Sequence, residues 1–241
     1  MTDRTVVTSP QIYARVAGLL YLIVIVAGVF AEIVVRGQLV VANDAAATAH
    51  NIMTHELQYR LGFAAELIAL VCNIPLAIIF YELFKVVNRR VTLLVVFFCL
   101  VGTAIESVAL LNHLAPLTLL GDGRYLSVIP AAQLQAQAYL SIKLYELGFA
   151  ICLVFFGFYC LALGYLMFRS SFLPRVIGAL LALQGVCYLV NSFTVFLAPQ
   201  FAKLAVSVLA VSAVGEISVC LWLLVMGVNV AKWSEKASLA S

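Results

Sequence analysis

Six stretches of this chain, near 16 to 35, 61 to 84, 91 to 119, 144 to 168, 176 to 197 and 204 to 229, stay apolar across a window of about 19 residues. Each is long enough to cross a hydrocarbon layer as a helix. Only 10% of the 241 residues are charged and 65% are hydrophobic, with a mean hydropathy of +1.12, against roughly 25% charged in an ordinary soluble domain. Such a chain cannot hide its apolar surface in one water-soluble core. The sequence reads as an all-α integral membrane bundle of six transmembrane helices, set in a lipid bilayer.

Orientation follows from the basic residues. Arg4, Arg15, Lys85, Arg89, Arg90, Arg169, Arg175, Lys232 and Lys236 fall on one side of the six spans, whereas Arg36, Arg60, Arg124, Lys143 and Lys203 fall on the other. The richer side is the cytoplasmic one, so both termini are expected inside. This divides the chain into a cytoplasmic segment over 1–15, a transmembrane domain over 16–233 and a cytoplasmic tail over 234–241, with Trp233 as an interfacial anchor. A cleaved signal peptide ending near Val29-Phe30-Ala31 is the competing reading of the first span, whose apolar stretch is longer than a typical signal core. The basic residues are too scattered, and the formal charge of +3 too small, for a nucleic-acid surface. All six cysteines lie inside apolar runs, as small buried or lipid-facing residues.

The short basic loops Lys85 to Arg90 and Arg169 to Arg175 predict two tight helical hairpins, and Pro174 should break the helix over Phe172 to Arg175. Two longer outer connections, 36 to 60 and 120 to 143, have room for short extracytoplasmic surface helices. Asn43 or Asp44 is placed to cap one over 45 to 57, and Pro130 suits the start of another that runs into the fourth span. A weak parallel repeat pairs Y-R-L-G-F-A from Tyr59 with Y-E-L-G-F-A from Tyr145, and at the same offset Arg89 with Arg175.

Carboxylates within apolar runs carry the functional signal, because each costs about 2.5–3.5 kcal/mol to insert and is usually kept toward a partner or cavity. Glu32, Glu66, Glu106, Glu146 and Glu216 qualify. Glu32 and Glu146 lie close to helix ends, where solvation or an ion pair with a neighbour such as Lys143 accounts for them. Glu66, Glu106 and Glu216 share faces with small and polar residues: Gly62, Ala65, Ala69, Asn73 and Ala77 in the second span, Gly102, Ala109 and His113 in the third, and Ala205, Ser212 and Cys220 in the last. Small-residue stripes are where membrane helices approach one another. The expectation is an outward-facing acidic cavity lined by Glu66, Glu106, Glu216, His113 and Asn73; the alternative is that these acids are structural, bonding to Asn73, Ser212 or a backbone carbonyl. His50, His55 and His113 fall on the same outer side and are weak candidates for a metal. His50 and His55 are five apart and off a common helical face, and no H-E-x-x-H pattern occurs.

The wording of the later helices adds a resemblance. F-F-G-F-Y-C-L-A-L-G-Y-L-M-F-R-S-S-F-L-P-R-V-I-G-A-L-L-A-L from Phe155, Y-L-V-N-S-F from Tyr188, G-E-I-S-V-C-L-W-L-L-V-M-G-V-N-V from Gly215 and A-R-V-A-G-L-L-Y-L from Ala14 strongly resemble the bacterial membrane family called domain of unknown function 4386. The resemblance covers nearly the whole chain and implies a six-span, multi-pass protein of the bacterial inner membrane with no assigned activity. It also implies that Tyr145 and Tyr159 stand where relatives often carry histidine, which argues against a shared histidine chemistry. The leading functional expectation is binding or transport of a cation, a proton-coupled solute or a small amphiphile. The alternatives are an intramembrane Glu/His hydrolase and a membrane partner or sensor without a substrate. No cofactor is expected, and the oligomeric state is open.

Overall fold

The computed structural model describes residues 9–240, apart from the side chains at 125, 202–207, 210, 211 and 240. Among these residues the chain is all-helical, without strands. The helices are α1 (Pro10–Leu39), α2 (Ala45–Thr54), α3 (Glu56–Leu120), α4 (Ala131–Arg169), α5 (Arg175–Leu197), α6 (Ala202–Val225) and α7 (Val230–Ala240). Four of them, α1, α3, α4 and α5, are long and apolar enough to cross a membrane, and a bent pair, Ser212–Val225 with Val230–Leu239, raises the number to five. Their outward faces carry large apolar side chains such as Ile33, Leu57, Leu111 and Val176, each about two-thirds exposed. Water would penalise that surface and lipid does not.

The places where helices end follow from local chemistry. At about 1.5 Å per residue, α3 would be about 97 Å long if straight, roughly three times a bilayer core of about 30 Å. It breaks at Asn88, the single non-helical residue within it (φ −160°, ψ 103°). The Asn88 side chain accepts from the N–H of Val91, and its carbonyl accepts from the Thr92 hydroxyl, which caps the second arm. The arms fold back antiparallel, since Tyr59 donates to the carbonyl of His113 and the Cys99 thiol to that of Asn73. The basic loop expected over Lys85 to Arg90 is thus compressed into one residue.

Asp44 caps α2 by accepting from the N–H of Ala47, while Asn43 takes a left-handed turn (φ 61°). Residues 170–174 separate α4 from α5, with Ser171 left-handed (φ 63°) and Pro174 immediately before Arg175. The proline lacks the donor that would continue the helix. The apolar run expected to reach 229 stops as helix at Val225: the N–H groups of Met226 and Gly227 both return to the Trp222 carbonyl, and Gly227 is left-handed (φ 68°). Asn229 then caps α7 at the N–H of Lys232, so the segment read as a tail is helical to Ala240.

The chain divides into two compact units, one made of Met1–Leu22, Asn73–Leu100 and Val154–Ser241, the other of Ile23–Cys72 and Val101–Leu153. Within the first unit α4 and α5 meet through four glycines spaced by sevens. A methyl at Gly164 would stand 2.6 Å from the Gly178 carbonyl, one at Gly178 the same distance from the Gly164 carbonyl, and one at Gly185 2.6 Å from that of Gly157. The backbones touch, as small-residue packing in lipid allows. At the end of this unit, Trp233 donates to the Leu83 carbonyl, Lys236 to that of Arg169 and the Asn229 N–H to that of Phe172. In the second unit Val35, Leu39, Ile52, Tyr59, Leu117 and Ile142 form an apolar core.

Candidate functional site

The second unit holds a buried polar cluster centred on a residue that the sequence marks only as an outer topology charge. Arg36 lies in a π-helical turn, Phe30–Arg36, where the N–H of Gly37 returns five residues to the Glu32 carbonyl. Turns of this kind recur at functional sites. Here the wider turn leaves Glu32 exposed while burying Arg36. The Arg36 guanidinium grips both oxygens of Glu32 through Nε and Nη2. Its remaining nitrogen, Nη1, stands 2.8 Å from Glu66 Oε1 and 3.3 Å from His113 Nδ1, and its carbon lies 4.2 Å above the ring of Tyr145.

Arginine has no acceptor, so His113 Nδ1 receives that contact and the imidazole proton sits on Nε2. The imidazole is enclosed by Tyr59 (centroids 4.6 Å apart) and, edge to face, by Tyr145 (5.5 Å). These two tyrosines are the corresponding residues of the Y-x-L-G-F-A repeat, and both copies therefore deliver a ring to one histidine. Glu66 and His113 are 5% and 1% exposed. Glu66 Oε2 and His113 Nε2 are buried without a hydrogen-bond partner among the described residues, while the Tyr145 hydroxyl lies within reach of Arg36 and Glu66. The Glu66–Arg36 contact is an ion pair through Oε1 that leaves Oε2 free to accept. One acceptor, Glu66 Oε2, and one donor, His113 Nε2, are thus left open within one cluster, where each costs about 1–3 kcal/mol if left so.

Glu106 is half-buried on the same arm of α3 as His113, within electrostatic reach of Glu66 and Arg36 and beside the Cys152 thiol. It is not paired with Arg36, whose ion-pair partners are Glu32 and Glu66. Beside the start of α3, a groove of about 500 Å³ is lined by Phe30, Val34, Thr54, His55, Glu56, Leu57, Gln58 and Leu61.

Glu216 belongs to the first unit, as does Asn73, which is buried with its carbonyl accepting from Cys99. Glu216 is half-buried on α6, beside Gln184 and within electrostatic range of Tyr21, Tyr159 and Tyr188. His50 is exposed on α2, and His55 is exposed at the break before α3, contacting the Asn51 carbonyl. Among the described residues no group of three His, Cys, Asp or Glu is placed to hold a metal ion. Glu146 is exposed and paired with Lys143. The residues not expected at these clusters from the sequence are Arg36 and Tyr59 in the second unit and Gln184 and Tyr188 in the first; the repeat held a signal for Tyr59 and Tyr145, and the family resemblance had singled out Tyr145 and Tyr159 as departures from histidine.

Residues 16–227 match the model of a family described as a domain of unknown function (DUF4386). A curated relative described as an uncharacterized protein, from Archaeoglobus fulgidus, is 24% identical over 158 residues, which is 66% of this chain and 78% of the relative. No solved structure matches the chain.

Proposed function

The chain belongs to the family described as a domain of unknown function (DUF4386), and from that premise we propose that it is a six-span protein of a bacterial cytoplasmic membrane, with both termini inside, whose polar cluster around Arg36 binds a small solute together with a proton. Six spans follow if each arm of α3 crosses once, as the fold-back at Asn88 favours, and if α6 crosses before the 98° bend into α7. The inside orientation of the termini is supported by the company α7 keeps: its lysines and the basic turns at Lys85 to Arg90 and Arg169 to Arg175 gather at one end of the first unit.

The observation that carries the functional reading is the pair of open hydrogen-bonding directions at Glu66 Oε2 and His113 Nε2. A solute bearing both a donor and an acceptor completes them. Besides the exposed Glu32, one guanidinium faces two carboxyl groups away from water, Glu66 and Glu106, and a poorly hydrated site does not hold that excess of negative charge without a proton or cation. Glu106, the carboxyl without an ion-pair partner in the cluster, is the group we assign to carry the proton.

Infrared difference spectra of the reconstituted protein, taken between acid and alkaline conditions, test this. A protonated-carboxyl band present in the unsubstituted protein should vanish in Glu106→Gln and persist in Glu32→Gln, and proton uptake driven by added solute should fall at least about tenfold in Glu106→Gln. A carboxyl band indifferent to Glu106→Gln sinks the reading.

A further inference from the structure

Four helices of the first unit bring a second polar cluster together. Tyr21 comes from α1, Tyr159 and Cys160 from α4, Gln184 and Tyr188 from α5, and Ser212 and Glu216 from α6. Gln184 is 1% exposed. Its Nε2 donates to the Tyr188 hydroxyl at 2.8 Å, and its amide reaches Glu216. Its Oε1 is left buried without a hydrogen-bond partner among the described residues, at a point where a methyl on Gly215 would stand 2.8 Å away. That acceptor therefore faces α6 one residue from the carboxylate.

The charge at this place is unbalanced. Glu32, Glu66 and Glu146 have cationic partners, whereas among the described residues the titratable groups near Glu216 are Tyr21, Tyr159, Tyr188 and Cys160 from the surrounding helices and Cys220 from its own, none of them a cation. A carboxylate, a carboxamide oxygen and hydroxyl oxygens are hard donors suited to a small cation. A single carboxylate balances one positive charge, and a divalent ion would leave one over in an apolar surround. Glu216 is itself half-buried while Gln184, Tyr21 and Tyr159 are buried, so the acid stands at the open side of the cluster. We propose that Glu216, Gln184, Tyr21, Tyr159 and Tyr188 form a site for one monovalent cation, separate from the cluster around Arg36 and not dependent on the reading given to that cluster.

The test is equilibrium binding of radiolabelled sodium to the full chain in detergent, with potassium, methylammonium and calcium as competitors. Saturable binding of one cation per chain is expected, with either potassium or methylammonium competing and calcium ineffective at the same concentration. Affinity should fall at least about tenfold in Glu216→Gln and measurably in Tyr188→Phe, which keeps the ring and removes one hydroxyl. Should Glu216→Gln fail to elute as the folded protein, Tyr188→Phe decides alone. The proposal is overturned by absence of saturable binding, by equal competition from calcium, or by affinities unaltered in the variants that fold. The infrared band assigned to Glu106 is a separate readout, so either site can fail without the other.

Discussion

Arg36 shows how much one residue can change the meaning of its neighbours. Counted along the chain it is a positive charge just beyond a span; in three dimensions it is 8% exposed and holds Glu32, Glu66 and His113 at once. Glu66 is thereby an ion-paired acid, whereas Glu106 and Glu216 have no ion-pair partner among the described residues. Removing one member of a buried pair strands the other, at a cost of about 3–5 kcal/mol, whereas removing both is often close to neutral. Arg36→Met should therefore destabilise the protein by about that amount, measured by denaturation in mild detergent. The double variant Arg36→Met with Glu66→Leu should recover most of the loss. If the double variant is no more stable than the single one, the pair is not a compensated unit.

At the scale of elements, contact between α4 and α5 rests on absence of side chains. Gly164 and Gly178 face each other's carbonyls, and backbone atoms cannot rotate away as a side chain does. Gly178→Ala should cost about 1–3 kcal/mol by overpacking, read as a lower midpoint of thermal unfolding. Gly28 in α1 is the matched control, because a methyl there meets nothing within 4 Å. Gly28→Ala should be stabilising by about 0.5–1 kcal/mol through helix propensity alone. Equal effects at the two sites would mean that the glycine contact is not what joins these helices. The spacing of these glycines was visible in the sequence, but which of them meet a backbone and which face open space was not. The turn chemistry was more legible: Asp44 and Pro174 mark the starts of their helices, one through an acceptor offered within three residues and the other through a donor withheld, whereas Asn88 was hidden inside a basic loop.

At the scale of the whole molecule, the six-span reading makes a prediction about sidedness. A reporter placed after Trp233 or within 85–90 should be cytoplasmic, and one placed in 121–129 external; a reporter after Trp233 that reads as external overturns the orientation. Long apolar helices, their approximate limits and the asymmetry of basic charge are properties of consecutive residues, because hydropathy sums over a window of about 19 positions and capping acts within one turn. By itself, then, the sequence determined an all-helical, membrane-suited chain and the identity of its costly acids. Tertiary structure decided which groups those acids lie beside. Whether Glu66 meets Arg36, or Glu216 lies beside Gln184, depends on how helices remote in sequence are rotated against one another. That rotation is set by the π-helical turn at Phe30–Arg36, the one-residue reversal at Asn88 and the glycine contacts of α4 and α5. A one-residue shift in helical register turns a side chain by about 100°, so partners chosen across helices follow from packing, to which local composition is nearly blind.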